Sequence, residues 1–455
     1  MLVSFSVANF RSFSSEQTFS LVASNRLKGV HEGHLATIPD SSENVLRAAI
    51  IYGANGAGKS NLFKAIQFFK AIALGPVRNE GLINRKPFQL GGFTEKTSDF
   101  DLQFVAAGKL YRFGFRLSDD RVLEEWLIQV IGGREKVIYE RTTDESGKVS
   151  IDARGVGNGK EAPKIIALAT VGGPKDQTFL STINVTINYE EISGAVGDAI
   201  FWLENLVLIS PQQNHTGLVK AFSETPDLLA FAGDFLRHAS TGVNHLKVSE
   251  SEISQEELLQ ELPDTLLRKF LRPEVEDTSR MLQFRLGNAE MIQKEGNKFS
   301  RLRINAEHGS EGGNTVSLDL AEESDGTKRL VNLIPALHDL RSKDATYFID
   351  EIDRSLHPLL VRAFIESFLN CCAGGQRQII VTTHESSLLD QDLIRRDEIW
   401  FAEKDHGGST RLYSLLDFKV RNDLEIRKHY LQGRFGAIPF LGNIGNLQSE
   451  QDLEN

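Results

Sequence analysis

The residues best suited to chemistry form a glycine-rich loop, GANGAGKS, which runs from Gly53 to Ser60. Its spacing satisfies the pattern G-x-x-x-x-G-K-[ST], whose backbone N–H groups bind phosphates where a helix begins. The glycines, which include Gly56 and Gly58, let backbone amides approach the phosphates closely. Lys59 is expected to neutralise the β- and γ-phosphates, and the Ser60 hydroxyl is expected to bind Mg²⁺. The loop therefore predicts a site for ATP.

A pair of acids, Asp350 and Glu351, follows the apolar run Tyr347–Ile349. In a phosphate-loop enzyme, Asp350 would hold Mg²⁺ through its water shell and Glu351 would polarise the attacking water. Two adjacent acids after a strand are also common in solvated turns, so the pair alone leaves both interpretations open. The phosphate loop elsewhere in the chain favours the catalytic one.

A histidine, His384, comes directly after the apolar segment QIIVTT. A histidine at a strand end is often only a polar residue whose hydrogen bonds are satisfied. One strand after the acidic pair, however, a neutral imidazole could reach the γ-phosphate and respond to its presence. We therefore expect His384 to act as a sensor and not as a base.

The segment AEESDGTKRL, residues 321–330, lies between the loop and the acids. Taken alone it indicates the start of an ordinary helix, with Ser324 or Asp325 as its cap. Its position upstream of the acidic pair is what makes it a candidate functional segment.

The elements that must position these residues can be read from the apolar pattern. Residues 46–52 indicate a buried strand before the loop, and residues 60–74 indicate an amphipathic helix after it. Near the N-terminus, alternating segments predict an antiparallel meander with turns at Ala107-Gly108 and at residues 118–120. Residues 146–160 indicate a loop, after which helical patterns dominate to about residue 294.

These patterns predict an α/β protein with four regions. An N-terminal ATPase half with the phosphate loop and the meander covers residues 1–145, and a mainly helical insert or lobe covers 146–319. A C-terminal ATPase half covers 320–440, and a disordered tail covers 441–455.

Composition limits the class of protein. The 455 residues include 40% hydrophobic and 25% charged ones, and no run approaches the roughly 18 apolar residues that would span a bilayer. The start has no signal-peptide pattern, and the two cysteines are adjacent and suit neither a disulfide nor a zinc site, so a cytoplasmic protein without a membrane partner is expected. The net charge of -11 argues against indiscriminate nucleic-acid binding.

The combination of motifs resembles the ABC-type ATPase heads of the RecF, SMC and OLD families. It comprises the phosphate loop with Asn61 after it, a Ser-x-Gly segment upstream of an acidic pair, DRSLHP after that pair, and a strand-end histidine. The segments SFSVANFRSF, ESDGTKRL and HYLQGRFGAIP are similar to those of the abortive-infection ATPases of bacterial anti-phage operons, which are often named AAA ATPases despite an ABC-like site.

The resemblance assigns further roles. It implies that a signature segment of Ser324, Gly326 and Thr327 reaches across a dimer to the partner's γ-phosphate, and that residues 353–357 link the two sites. It also implies that Arg11 lines the nucleotide, together with Asn55 of the loop. Asp325 departs from the ABC pattern, in which a glycine stands at this position, and a carboxylate there would repel a γ-phosphate unless it faces away.

The resemblance also implies how the protein acts. We expect a slow ATPase, at least a homodimer, that works as a nucleotide-driven switch on a separate effector, a toxin or nuclease, in anti-phage defence. About 70 residues follow His384, which we expect to be too few for an additional nuclease domain. A higher oligomer, a phage-derived trigger and DNA binding stay open, as does a RecF-like role in DNA repair. A transporter subunit is a third alternative, for which no glutamine loop can be placed.

Overall fold

In the computed structural model of the protein, the described residues are 1–75, 82–157, 159–211, 217–254, 256–257, 282–286, 290–295, 298–309, 314–341, 343–419 and 425–438. They form two compact units, of which the first combines Met1–Leu208 and Asp344–Glu351 with the chain from Cys372 onward. The second combines Ile209–Lys343 with Ile352–Cys371. The first division between the units therefore falls near residue 208. The tail predicted to be disordered, residues 441–455, lies outside the described residues.

The described chain combines parallel and antiparallel sheets with helices, which confirms the predicted α/β class. None of the described helices is both long and apolar enough to cross a membrane. The strands are β1 (Leu2–Ala8), β2 (Gln17–Ser20), β3 (Leu35–Thr37), β4 (Asn44–Leu46), β5 (Ala48–Tyr52), β6 (Ser98–Ala106), β7 (Lys109–Leu117), β8 (Val122–Ile131), β9 (Arg134–Thr143), β10 (Val149–Asp152), β11 (Leu206–Ile209), β12 (Val243–Glu252), β13 (Leu282–Leu286), β14 (Glu290–Glu295), β15 (Lys298–Gly309), β16 (Thr315–Asp319), β17 (Thr346–Ile349), β18 (Gln378–Thr382), β19 (Ile399–Lys404) and β20 (Thr410–Ser414). The α-helices are α1 (Lys59–Leu74), α2 (Ala162–Val171), α3 (Phe179–Thr186), α4 (Gly194–Glu204), α5 (Leu218–Glu224), α6 (Pro226–His238), α7 (Asp325–Asp339), α8 (Pro358–Cys371) and α9 (Ile426–Leu431).

An antiparallel sheet in the order β10-β9-β8-β7-β6-β1-β2 confirms the predicted meander. The turn at Ala107-Gly108 connects β6 and β7 with φ values of 47° and 69°, as a two-residue hairpin loop requires. The prediction that residues 146–160 form only a loop is wrong, because β10 pairs with β9 in this stretch. Val149 and Ile151 alternate with exposed polar residues there, and two apolar positions were too short a pattern to indicate a strand.

A second sheet in the first unit has the order β11-β17-β18-β5-β19-β20. Strands β17, β18, β5 and β19 are mutually parallel, and β20 runs antiparallel to β19. All residues of β5, β17 and β18 are buried, as expected for parallel strands covered on both faces. Parallel strands end at one edge of a sheet, and this edge is where ligands bind in α/β folds.

Helix α1 contacts both sheets of the first unit through aromatic side chains. Its Phe69 ring lies 5.6 Å from that of Phe5 and 4.8 Å from that of Phe115, both in the antiparallel sheet. On another face of the helix, Phe63 packs edge-on against Phe348 of β17 at 5.5 Å. Aromatic pairs in these geometries stabilise the packing beyond the effect of the area that they bury. Core contacts therefore hold α1 on two sides.

The side chain of Gln378 connects the two sheets through hydrogen bonds. Its Oε1 accepts from the Leu2 N–H at 2.7 Å, and its Nε2 donates to the carbonyls of Leu2 at 2.9 Å and Leu46 at 2.8 Å. The side chain is fully buried, so these backbone groups are satisfied by Gln378 where water does not reach them.

The second unit contains an antiparallel sheet in the order β12-β15-β14-β13, with β16 also paired to β15. The prediction of a mainly helical region over 146–319 therefore holds for α2 to α6 but is wrong for the described strands β12 to β16. In β15, Leu302, Ile304 and Ala306 are buried and alternate with polar residues. That alternation covers only three apolar positions, which is too short a pattern to indicate a strand.

Candidate active site

The phosphate loop lies between the end of β5 and the start of α1, as predicted. Gly56 and Gly58 have φ values of 77° and 110°, in the left-handed region that glycine adopts without strain. Gly58 precedes the first residue of α1, Lys59, and caps the helix without a side-chain hydrogen bond. The first turn of the helix therefore presents backbone N–H groups and its positive dipole end to an anion.

At Gly53 and Gly58, other atoms pack so closely that no side chain would fit. A Cβ atom added at Gly53 would overlap the carbonyl oxygen of Ala402 in β19, and one added at Gly58 would overlap the Thr410 side chain in β20. Asn55 and Gly56 form the exposed tip of the loop. The loop is thus held against two strands on one side and open to solvent at its tip.

The Lys59 ammonium is buried inside this loop. It donates to the Gly53 carbonyl at 2.8 Å and to the Ala54 carbonyl at 3.3 Å. It also lies 3.0 Å from Nε2 of His384, and because an ammonium can only donate, Nε2 must accept. This contact places the His384 imidazole beside the lysine of the phosphate loop.

The predicted acid pair follows β17, and both acids contact Thr382 at the end of β18. The Thr382 hydroxyl donates to Oδ1 of Asp350 at 2.6 Å and accepts from the Glu351 N–H at 2.8 Å. Asp350 is buried, whereas Glu351 is partly exposed and has a φ of 48°, an uncommon left-handed conformation for this residue type. One hydroxyl therefore orients both acids, and the strained turn at Glu351 is typical of a functional position.

The residues present fit a magnesium ion that enters with a nucleotide. Ser60 in the first turn of α1 and Asp350 after β17 supply two oxygen donors of the kind Mg²⁺ prefers. Among the described residues, no group of three or more His, Cys, Asp or Glu side chains is arranged to hold a metal ion. Mg²⁺ usually keeps several waters and shares one or two protein oxygens with substrate phosphates, and this donor set suits that mode.

Arg11 has an unusual environment in the loop after β1. Its φ is 53°, its N–H donates to the Lys86 carbonyl at 2.5 Å, and burial lowers the pKa of its guanidinium below the ordinary value. Its Nε is buried and finds no hydrogen-bond partner among the described residues. A half-buried guanidinium with an unsatisfied donor has the chemistry of an anion ligand, and the assignment of Arg11 to the nucleotide stays a prediction.

The signature residues lie in the second unit, at the start of α7. Ser324 caps this helix, since its hydroxyl accepts from the Thr327 N–H at 3.1 Å. A Cβ atom added at Gly326 would stand 2.8 Å from the Ser355 carbonyl, so the signature lies against the predicted linking loop 353–357. The Asp325 side chain is 85% exposed and pairs with Lys328 at 3.4 Å, which partly offsets its charge.

The structure brings the loop, the acids and His384 to one edge of one sheet, while Ser324, Gly326 and Thr327 belong to the other compact unit. Sequence reasoning missed two groups that support the site. Thr382 was visible as part of the polar pair that ends QIIVTT, but nothing in the local sequence indicated that Thr410 contacts the loop. Only the pairing of β20 with β19 places it there.

No curated protein matches the chain. Among solved structures, it is 14% identical to the SMC head bound to the C-winged helix domain of ScpA, with 91% of this chain and 97% of that chain covered and a TM-score of 0.41. The SMC head domain from Thermotoga maritima matches at 14% identity, 91% and 98% coverage and a TM-score of 0.36. The SMC head domain with an extended coiled coil from Pyrococcus furiosus, bound to the C-terminal domain of ScpA, matches at 14% identity, 91% and 97% coverage and a TM-score of 0.36.

A family model identifies the family to which the chain belongs. The model described as AAA domain, putative AbiEii toxin, Type IV TA system matches residues 48–160 and 214–390, which include the loop, the signature segment, the acids and His384. The matched residues make up more than half of the chain, and the chain therefore belongs to this AAA family, which confirms the predicted resemblance to the abortive-infection ATPases.

Proposed function

We propose that this protein binds and slowly hydrolyses ATP in the presence of Mg²⁺. One observation carries the proposal: the phosphate loop, the acid pair and His384 meet at the carboxyl edge of adjacent parallel strands, in the order β17-β18-β5. Each part alone has an ordinary structural explanation, but together they supply phosphate binding, metal binding and water activation.

The residues at this edge take distinct roles. The backbone amides at the start of α1 and Lys59 bind the phosphates, which requires the Lys59 ammonium to exchange its loop carbonyls for phosphate oxygens. Ser60 and Asp350 hold Mg²⁺, which when bound neutralises charge on the phosphates. Glu351 orients the attacking water, and His384 reports on the γ-phosphate. Arg11 supplies a further positive charge near the nucleotide.

A second copy of the chain completes the site in this proposal. Ser324, Gly326 and Thr327 form a capped helix start at which Ser324 is exposed, which suits contact with the γ-phosphate bound by the partner. Two identical chains then share two nucleotides in a closed, isologous dimer, and hydrolysis depends on the dimer. In this proposal the loop 353–357, which lies against Gly326, relays the state of one site to the other.

The nucleotide cycle controls a separate effector protein in our proposal. The family description names a type IV toxin–antitoxin system, which has two components, and this supports a partner that the ATPase holds or releases. ATP-dependent closure changes the affinity for the effector, and linkage requires that the effector change the affinity for ATP by the same factor.

Purification of the protein together with the product of the adjacent gene tests this proposal. We expect the wild-type protein to release phosphate from ATP, and we expect Glu351→Gln to trap the ATP state and alter the amount of effector retained. If no neighbour-encoded protein binds in any nucleotide state and the ATPase alone binds duplex DNA tightly in a salt-sensitive manner, the repair alternative replaces the switch.

A further inference from the structure

A chain of hydrogen bonds runs behind the phosphate loop and involves residues from three separate parts of the sequence. The Asn61 Nδ2 atom donates to Oγ of Ser12 at 2.7 Å, and the Ser12 and Thr410 hydroxyl oxygens lie 2.7 Å apart. The Thr410 oxygen also lies 2.9 Å from the carbonyl of Ala57 in the loop. The chain thus begins in the first turn of α1 and ends in the phosphate loop itself.

The protons along this chain can be assigned. The Ala57 carbonyl can only accept, so the single hydroxyl proton of Thr410 goes to it. The Ser12 hydroxyl then donates to Thr410, and its oxygen accepts from the Asn61 amide, which can only donate through Nδ2. The hydrogen bonds along the path therefore all run in one direction, from Asn61 to Ala57, as in the cooperative networks of buried polar groups.

Burial and packing fix the position of Thr410. Its residue is fully buried, and its N–H donates to the Ser12 carbonyl at 2.7 Å. Its side chain also occupies the space that a Cβ atom at Gly58 would need. Thr410 therefore contacts two consecutive residues of the loop, through a hydrogen bond with the Ala57 carbonyl and through van der Waals contact with Gly58.

We propose that Thr410 is a positioning residue for the ATP site, which holds the Ala57–Gly58 backbone in the phosphate-binding conformation and, through Ser12, joins the neighbouring Arg11 to that loop. The inference rests on the proposed ATP-binding function. Phosphate affinity depends on the direction in which the N–H groups of the loop point. Without the Thr410 hydroxyl, the Ala57 carbonyl would also lose its hydrogen-bond partner.

Thr410→Val tests the proposal, because valine keeps the shape of the side chain and removes only the hydroxyl. We expect the affinity for a fluorescent ATP analogue to fall about ten-fold and KM for ATP to rise with it, with a smaller change in kcat. Thr410→Ser keeps the hydroxyl, and we expect its affinity to stay within about two-fold of wild type.

Thr143→Val is the matched control. Thr143 is buried in the antiparallel sheet, and its hydroxyl donates to the Val122 carbonyl at 2.6 Å, so the same chemical change occurs away from the loop. A purely structural role for Thr410 would lower Tm in both valine variants and leave ATP affinity unchanged in both. That result overturns the proposal.

Two further outcomes keep the test decisive. If Thr410→Val does not fold, Ser12→Ala interrupts the same chain at its middle, and ATP affinity equal to wild type in that variant would contradict the proposal. If the wild-type protein itself binds no nucleotide, the proposed function fails, whereas equal binding by wild type and both Thr410 variants removes only the role of Thr410.

Discussion

The ammonium of Lys59 and the imidazole Nε2 of His384 lie 3.0 Å apart, although 325 positions separate the two residues in sequence. The contact exists because β5 and β18 are neighbouring parallel strands whose carboxyl ends deliver both side chains to one place. It joins the residue expected to neutralise phosphate charge to the residue expected to sense the γ-phosphate. A phosphate that draws Lys59 outward must change what His384 contacts, and this gives the sensor a physical basis.

The first prediction separates nucleotide binding from turnover. Lys59→Ala removes the buried ammonium and should weaken ATP binding by on the order of 100-fold, because phosphate charge is no longer neutralised. Glu351→Gln should keep ATP binding but slow hydrolysis by on the order of 100-fold, because the amide cannot take a proton from water. Isothermal titration and phosphate release measure the two steps.

Lys64→Ala provides the control for Lys59, since it removes an exposed lysine from the same helix. It should bind and hydrolyse ATP as wild type does. Hydrolysis at the normal rate by Glu351→Gln would show that the acid pair has been misassigned.

The second prediction concerns completion of the site by a partner. Lys59→Ala and Ser324→Arg should each be inactive alone, because one lacks phosphate binding and the other carries a large cation in the signature segment. In a mixed dimer, one composite site keeps both intact halves, so partial activity should return on mixing if subunits exchange and the two sites fire independently. Full activity of either variant alone would exclude completion in trans.

The third prediction concerns Thr382, whose hydroxyl contacts both acids. Thr382→Val should slow hydrolysis by about ten-fold and raise the Mg²⁺ concentration needed for half-maximal rate, since Asp350 and Glu351 lose a shared anchor. Thr382→Ser retains the hydroxyl and should restore most of the rate. Titration of Mg²⁺ at saturating ATP distinguishes the two, and an unchanged Mg²⁺ requirement in the valine variant would show that Thr382 does not orient the metal-binding acid.

The phosphate loop and the helix cap could be predicted from the sequence because residues close together in the chain determine their structure. The loop from Gly53 to Ser60 requires a strand before it and a helix after it, and the observed β5 and α1 begin and end within two residues of the predicted bounds. The cap at Ser324 is similarly local, because a serine hydroxyl and an N–H three residues later form it. The expected assignments of Ser324, Gly326, Thr327 and Arg11 to nucleotide contact remain predictions.

Long-range pairing could not be predicted in the same way. Thr410 and Ser12 meet across 398 positions, and neither segment carries a pattern that identifies the other. The strands β12 to β16 were assigned to a helical region because charged residues alternate with apolar ones for only a few positions in each strand. Their structure depends on pairing between segments, whereas periodicity reports only which face of one segment is buried.

The last prediction concerns stability and the junction of the two sheets in the first unit. Gln378→Leu replaces the buried amide side chain with an apolar one of similar size and removes the partners of three backbone groups, namely the Leu2 N–H and the carbonyls of Leu2 and Leu46. Each unsatisfied buried group costs about 1–3 kcal/mol, so the unfolding midpoint should fall by about 5–10 °C in a calorimetric scan. Gln89→Leu makes the same change at an exposed residue and should shift the midpoint by about 1 °C or less. If both variants unfold at the wild-type temperature, the two sheets are joined by the aromatic contacts of α1 and not by Gln378.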